Sequence, residues 1–148
     1  MKSSYRALWL RVGLIVAVLP LAACMNESQS HHFEHPSHVE HIEGSDLSTV
    51  TLTEKAIERT GLETDAVREM DLDGKTYRVV PYSTLIYDLH GNAWVYKSPE
   101  PRTFVRHKLD IHRIEGDLIY LNDGPQVGTV VASVGAAELY GTEFAVGH

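Results

Sequence analysis

One cysteine in 148 residues excludes an internal disulfide and any cysteine-clustered zinc or iron–sulfur site. Basic residues are also few: 13 Lys and Arg stand against 20 Asp and Glu, for a net charge of −7. A nucleic-acid binder needs a basic face to displace counterions, so that class is set aside. No apolar run approaches the roughly twenty residues that a membrane-spanning helix requires. The G-x-S-x-G, H-E-x-x-H, P-loop and dinucleotide-binding patterns are missing as well, and Ser83 has neither His nor acid near it in the sequence. The expectation is therefore a protein that is not an enzyme. At this length it should hold one modest domain, with or without a tail.

What is present begins at the N-terminus. Lys2, Arg6 and Arg11 precede an apolar stretch over 12–23 that ends Leu21-Ala22-Ala23-Cys24. A charged start and a short apolar core describe a secretory leader. The four closing residues resemble the bacterial lipobox, whose small residues enter a peptidase cleft and whose thiol accepts the diacylglyceryl group. Residues 1–23 are thus expected to be a lipoprotein signal peptide and Cys24 the lipidation site. The chain would then sit on the periplasmic side of the cell envelope, with inner and outer membrane both open. Once the three leader cations are gone, ten basic residues face all 20 acids. Acyl chains, not attraction to anionic lipid, would have to hold such a chain to a membrane.

Residues 24–46 are rich in Ser, Glu and His, poor in aliphatics and interrupted by Pro36 and Gly44. A flexible tether is expected, since so little apolar surface cannot offset the entropy of ordering. His31, His32, His35, His38 and His41 fall within eleven residues of it, with Glu34 and Glu40 as auxiliary carboxylates. Imidazole suits Zn, Ni, Co or Cu(II), so these residues are candidate metal ligands; the alternative is a solvated spacer. The string His31-His32-Phe33-Glu34-His35 matches H-x-x-E-H, but that motif works on a helix in a large catalytic domain, and here Pro36 follows at once.

Residues 47–148 are expected to form a mainly β domain, a compact roll or barrel with one or two short helices. The alternation at Ser48–Thr53 predicts a strand, Thr53 an N-cap and Gly61 the end of a helix, with a second strand over 62–67. Asp71–Lys75 is read as a turn. Strands are predicted over 77–80, 84–87, 93–96, 103–114, 118–121 and 128–134, with Pro99 and Pro101 as a break and Glu115-Gly116-Asp117 as a hairpin turn. A last helix is predicted over 136–140. Phe104, Trp94, Tyr96 and Tyr140 are candidate partner contacts, with sheet packing the first expectation for each. His90, His107 and His112 are read as surface or turn residues.

The stretch Val80-Pro81-Tyr82-Ser83-Thr84-Leu85-Ile86-Tyr87, with Gly91–Tyr96, Thr103–Arg106, Ile114–Asp117 and the ending Gly135–Phe144, resembles the periplasmic adaptor subunits (membrane fusion proteins) of RND-type efflux pumps, heavy-metal adaptors included. Residues 50–67 resemble the start of the folded region in that family. The resemblance covers about a hundred residues. It implies a membrane-proximal adaptor domain, which in the family is assembled from the first and last parts of the chain. The intervening barrel-sandwich, helical hairpin and β-barrel have no counterpart here beyond the residues around Asp71–Lys75. The implied function is an accessory part of an efflux system, docking on an RND pump or a full-length adaptor, with divalent metal ions as possible cargo. An independent metal-binding lipoprotein and a non-functional, internally deleted adaptor are the alternatives.

Overall fold

The computed structural model describes residues 35–144. The fold is mainly β, a curled half-barrel sheet with two helices, as the alternation anticipates. In chain order the elements are β1 (Ser37–His41), β2 (Ser48–Leu52), α1 (Glu54–Thr60), β3 (Glu63–Ala66), β4 (Arg68–Leu72) and β5 (Lys75–Pro81). A single 3-10 turn at Tyr82–Thr84 leads to β6 (Ile86–Tyr87), β7 (Ala93–Glu100), β8 (Thr103–Glu115), β9 (Leu118–Asp123), β10 (Val130–Val134) and α2 (Ala136–Glu143).

Local chemistry explains most boundaries. The Thr53 hydroxyl accepts the Ala56 N–H at 3.2 Å, and Gly61 closes α1 in the left-handed conformation at φ 63°. Asp73 (φ 54°) and Gly74 (φ 80°) turn β4 into β5, supplying the two positive φ angles that a tight hairpin needs. Thr84 bonds its hydroxyl to the Pro81 carbonyl at 2.7 Å, which tightens the chain into a 3-10 turn where a strand was expected from 84. The expected break at Pro99 is also absent. β7 runs to Glu100, because the ladder to β8 shifts register between Lys97 and Glu100 and asks no hydrogen bond of the proline.

The largest departure lies at the start. The tether was expected to extend to Asp46, but Ser37–His41 forms β1, paired antiparallel with β2 from Ser37↔Leu52 to His41↔Ser48. With Val39 as its only aliphatic, this strand carries almost no hydrophobic signal. It forms because β2 offers it a ladder of unpaired backbone groups. β4 likewise takes in Asp71 and Leu72, and β5 takes in Lys75, all read as part of the turn, which narrows to Asp73 and Gly74.

Strand β8 organises the core. Its first half pairs with β2 and β7, and its second half pairs with β9 across a bulged register between Asp110 and Arg113. Side chains alternate across β7, so Ala93 and Val95 enter one cluster with Val80, Leu109, Ile119, Leu121 and Val131. Tyr96 enters the other, with Val50, Leu52, Phe104, Ala132 and Leu139. The second cluster lies under α1 and α2, and both faces of β7 are thereby buried.

Candidate functional site

Of the residues proposed as ligands, Cys24, His31, His32 and Glu34 lie outside the described residues. His35 precedes β1, and His38, Glu40 and His41 lie on it. A strand sends successive side chains to opposite faces, so His38 and Glu40 share one face and His41 takes the other. The set of five is thus divided: through this strand one ion can use His38 or His41, not both. Among the described residues no three His, Cys, Asp or Glu side chains are grouped to hold a metal. His35 and His38 instead line an open cleft of about 880 Å³ with Glu54, Lys55, Glu58 and Arg102.

The other end of the sheet holds a differently built site. Arg106 sits on β8 with its side chain 6 % exposed, and its Nε donates to Glu143 Oε2 at 2.7 Å, the Glu143 side chain being 2 % exposed. The Tyr96 hydroxyl donates to the same carboxylate oxygen at 2.6 Å, and Arg106 Nη2 reaches the Asp46 carbonyl at 3.3 Å. The guanidinium lies between two rings, its Cζ 4.6 Å from the centre of Trp94 and 4.8 Å from that of Phe144. Such a desolvated cation–π sandwich is stronger than its exposed equivalent. It fastens the C-terminal end of α2 to the sheet.

Above Trp94, the turn from Asp88 to Asn92 is braced by one carboxylate. Asp88 Oδ1 accepts the backbone N–H groups of His90 at 2.8 Å and Asn92 at 2.9 Å. Its Oδ2 accepts Asn92 Nδ2 at 2.8 Å and Trp94 Nε1 at 3.0 Å. These bonds, led by the Asn92 side chain, hold the Asp88 carboxyl well below the usual carboxylate range. The braced turn presents Leu89 at 95 % exposure. With Leu89, the residues Leu47, Trp94, Tyr140 and Phe144 line a cavity of about 590 Å³, together with the polar Asp46, Asp88, His90, Asn92 and Arg106.

The four aromatic candidates therefore divide. Phe104 and Tyr96, 2 % and 0 % exposed, are core. Trp94 and Tyr140 line the cavity. Ser83 is exposed in the 3-10 turn, His90 and His112 are exposed, and His107 is half-buried on β8 with its protonation disfavoured first by burial and then by Lys97. Arg106 and Glu143 were not singled out from the sequence. They are 37 residues apart, and nothing in the sequence of β8, which also carries Lys108 and Arg113, sets Arg106 apart. The two sites occupy opposite ends of β7, about 23 Å apart at the usual rise per residue. Leu89 precedes its Ala93 end, and the His35 cleft reaches Arg102, just beyond its Glu100 end.

No protein-family model, curated protein or solved structure matches the chain.

Proposed function

We propose that the chain is a lipid-anchored, adaptor-like accessory component of an RND-type efflux system, a docking module held to a membrane through Cys24. The observation that carries this reading is the way two distant segments build one body. β2 and β3, from residues 48–66, pair with β8 and β10, and α1 and α2 cover a shared core cluster. That is the assembly of first and last parts that the adaptor resemblance implies. On that resemblance, the tight turn at Asp73–Gly74 would take the place of the family's reaching domains. The cavity beside Leu89 is the docking surface in this reading. It lies at the end of the sheet remote from His35.

Two strains test the proposal. Cys24→Ser is expected to move the protein almost wholly from the membrane fraction to the soluble periplasm, with loss of fatty-acid labelling. Leu89→Asp is expected to keep it in the membrane while reducing site-specific crosslinking to the RND pump or its adaptor at least tenfold. Membrane retention without Cys24 would remove the anchor, and crosslinking indifferent to Leu89 would remove the docking surface.

The cluster of imidazoles supports divalent metal as cargo. To keep β1 and its pairing with β2, that idea is tested by replacing His31, His32 and His35 with alanine and leaving 36–46 intact. Tolerance of Zn(II), Ni(II), Co(II) or Cu(II) in a strain that depends on this protein is expected to fall. Unchanged tolerance to all four would reduce the segment to a spacer.

A further inference from the structure

Strand β1 is a sheet edge whose sequence complements itself. Among the described residues it pairs with β2 alone. The register fixes which backbone groups face away. The Thr53 N–H donates to the Pro36 carbonyl at 3.0 Å, and the Ile42 N–H to the Leu47 carbonyl at 3.0 Å. These are hydrogen-bonded pairs of an antiparallel ladder, and such pairs recur at every second residue. His38 and Glu40 therefore direct their N–H and C=O groups to Thr51 and Thr49. Ser37, Val39 and His41 direct theirs outward, away from β2.

An edge of this kind is a template for a further strand. Natural edges are usually blunted by lysine, proline or a bulge, and 37–41 has none of these. Its sequence is Ser37-His38-Val39-Glu40-His41. Laid antiparallel against itself about the middle residue, it sets Val39 against Val39, Ser37 against His41 and His38 against Glu40. This register brings the three outward-facing residues opposite one another, so each of those pairs can exchange two backbone hydrogen bonds. His38 and Glu40 then meet in the non-hydrogen-bonded positions, where Cα atoms are about 4.5 Å apart and side chains are closest. Val39 is 39 % exposed and shares the face of its partner Val50. Its contact with a second Val39 would extend the apolar side of the sheet.

We infer that two copies of the chain pair antiparallel through β1 about a twofold axis at Val39, forming an isologous dimer with one continuous sheet. The inference does not depend on the proposed efflux role.

The test uses the full chain with Cys24→Ser, in detergent, in two further versions carrying His38→Cys or Glu40→Cys. Mixed, the two are expected to form an intermolecular disulfide readily, since their Cα atoms would lie within bonding range. Each alone is expected to crosslink at least tenfold less, because like residues would be about 8 Å apart in this register. Val39→Pro supplies an independent arm. The Val39 N–H makes no bond to β2, so proline leaves the β1–β2 ladder intact while removing the axial bonds. Sedimentation at about 100 µM should show a dimer for the parent chain and a monomer for Val39→Pro, with the same circular dichroism. A monomeric parent chain, equal crosslinking in the single-version samples, or a folded Val39→Pro chain that stays dimeric would each overturn the inference. Should Val39→Pro fail to fold, the mixed-cysteine result decides.

Discussion

Arg106→Met is expected to cost about 3–5 kcal/mol of folding stability, the loss that follows when one partner of a buried ion pair is removed. Methionine comes close to filling the slot between Trp94 and Phe144. It leaves the Glu143 carboxylate, 2 % exposed, with the Tyr96 hydroxyl as its remaining side-chain donor. The penalty comes from that uncompensated charge, not from the worth of the pair. The double variant Arg106→Met, Glu143→Met should therefore recover most of the loss, since apolar replacement of a whole buried pair is often neutral or stabilising. Urea denaturation of the three proteins checks this, and a double variant no better than the single one would show that the ion pair itself carries the stability. The parent protein should also weaken in alkali. Burial, then the hydrogen bond to Glu143 and its charge, raise the Tyr96 hydroxyl above its ordinary value of 10.0. The folded chain thus keeps this proton after the unfolded chain has lost it. Stability is whole below about pH 10 and declines as pH rises beyond it.

The sequence was informative where a residue acts on its own neighbours. Thr53 caps α1, Gly61 ends it, Gly116 turns β8 into β9, and alternation marks most strands; each is a matter of a few adjacent positions. Tertiary pairing overrode local signal elsewhere. Ser37–His41 has the composition of a tether and becomes a strand because β2 lies next to it. Pro99 lies inside a strand because a register shift spares its missing N–H. The last helix was expected over 136–140, yet α2 continues to Glu143, held by the contacts of Glu143 and Phe144 with Arg106. The same logic hid the cavity: Leu47, Trp94 and the helical pair Tyr140 and Phe144 come from three separate parts of the chain, and no spacing in the chain relates those parts.

Phe104 shows how far a contact reading and a packing reading differ in measurable terms. Its side chain is 2 % exposed, its residue pairs with Val50 in the β2–β8 ladder, and it lies in the cluster that Leu52, Tyr96, Ala132 and Leu139 complete. Phe104→Ala is expected to cost about 3–5 kcal/mol, the transfer of the lost ring plus the void it leaves. A domain this size has about 5–15 kcal/mol in all, so the variant should be close to unfolding at physiological temperature. A groove of about 420 Å³ between Ile57, Leu62, Phe104 and Val130 adjoins the site. Water or a shifted Leu62 can enter the void from that side, which favours the lower part of the range. Leu89→Ala, at 95 % exposure, should change stability by no more than about 0.5 kcal/mol and act only on docking. Denaturation curves for the two variants, read beside crosslinking to the pump, separate the roles. If Phe104→Ala leaves stability intact and abolishes crosslinking, Phe104 belongs to the docking surface, and the core beneath α1 and α2 is wrongly drawn.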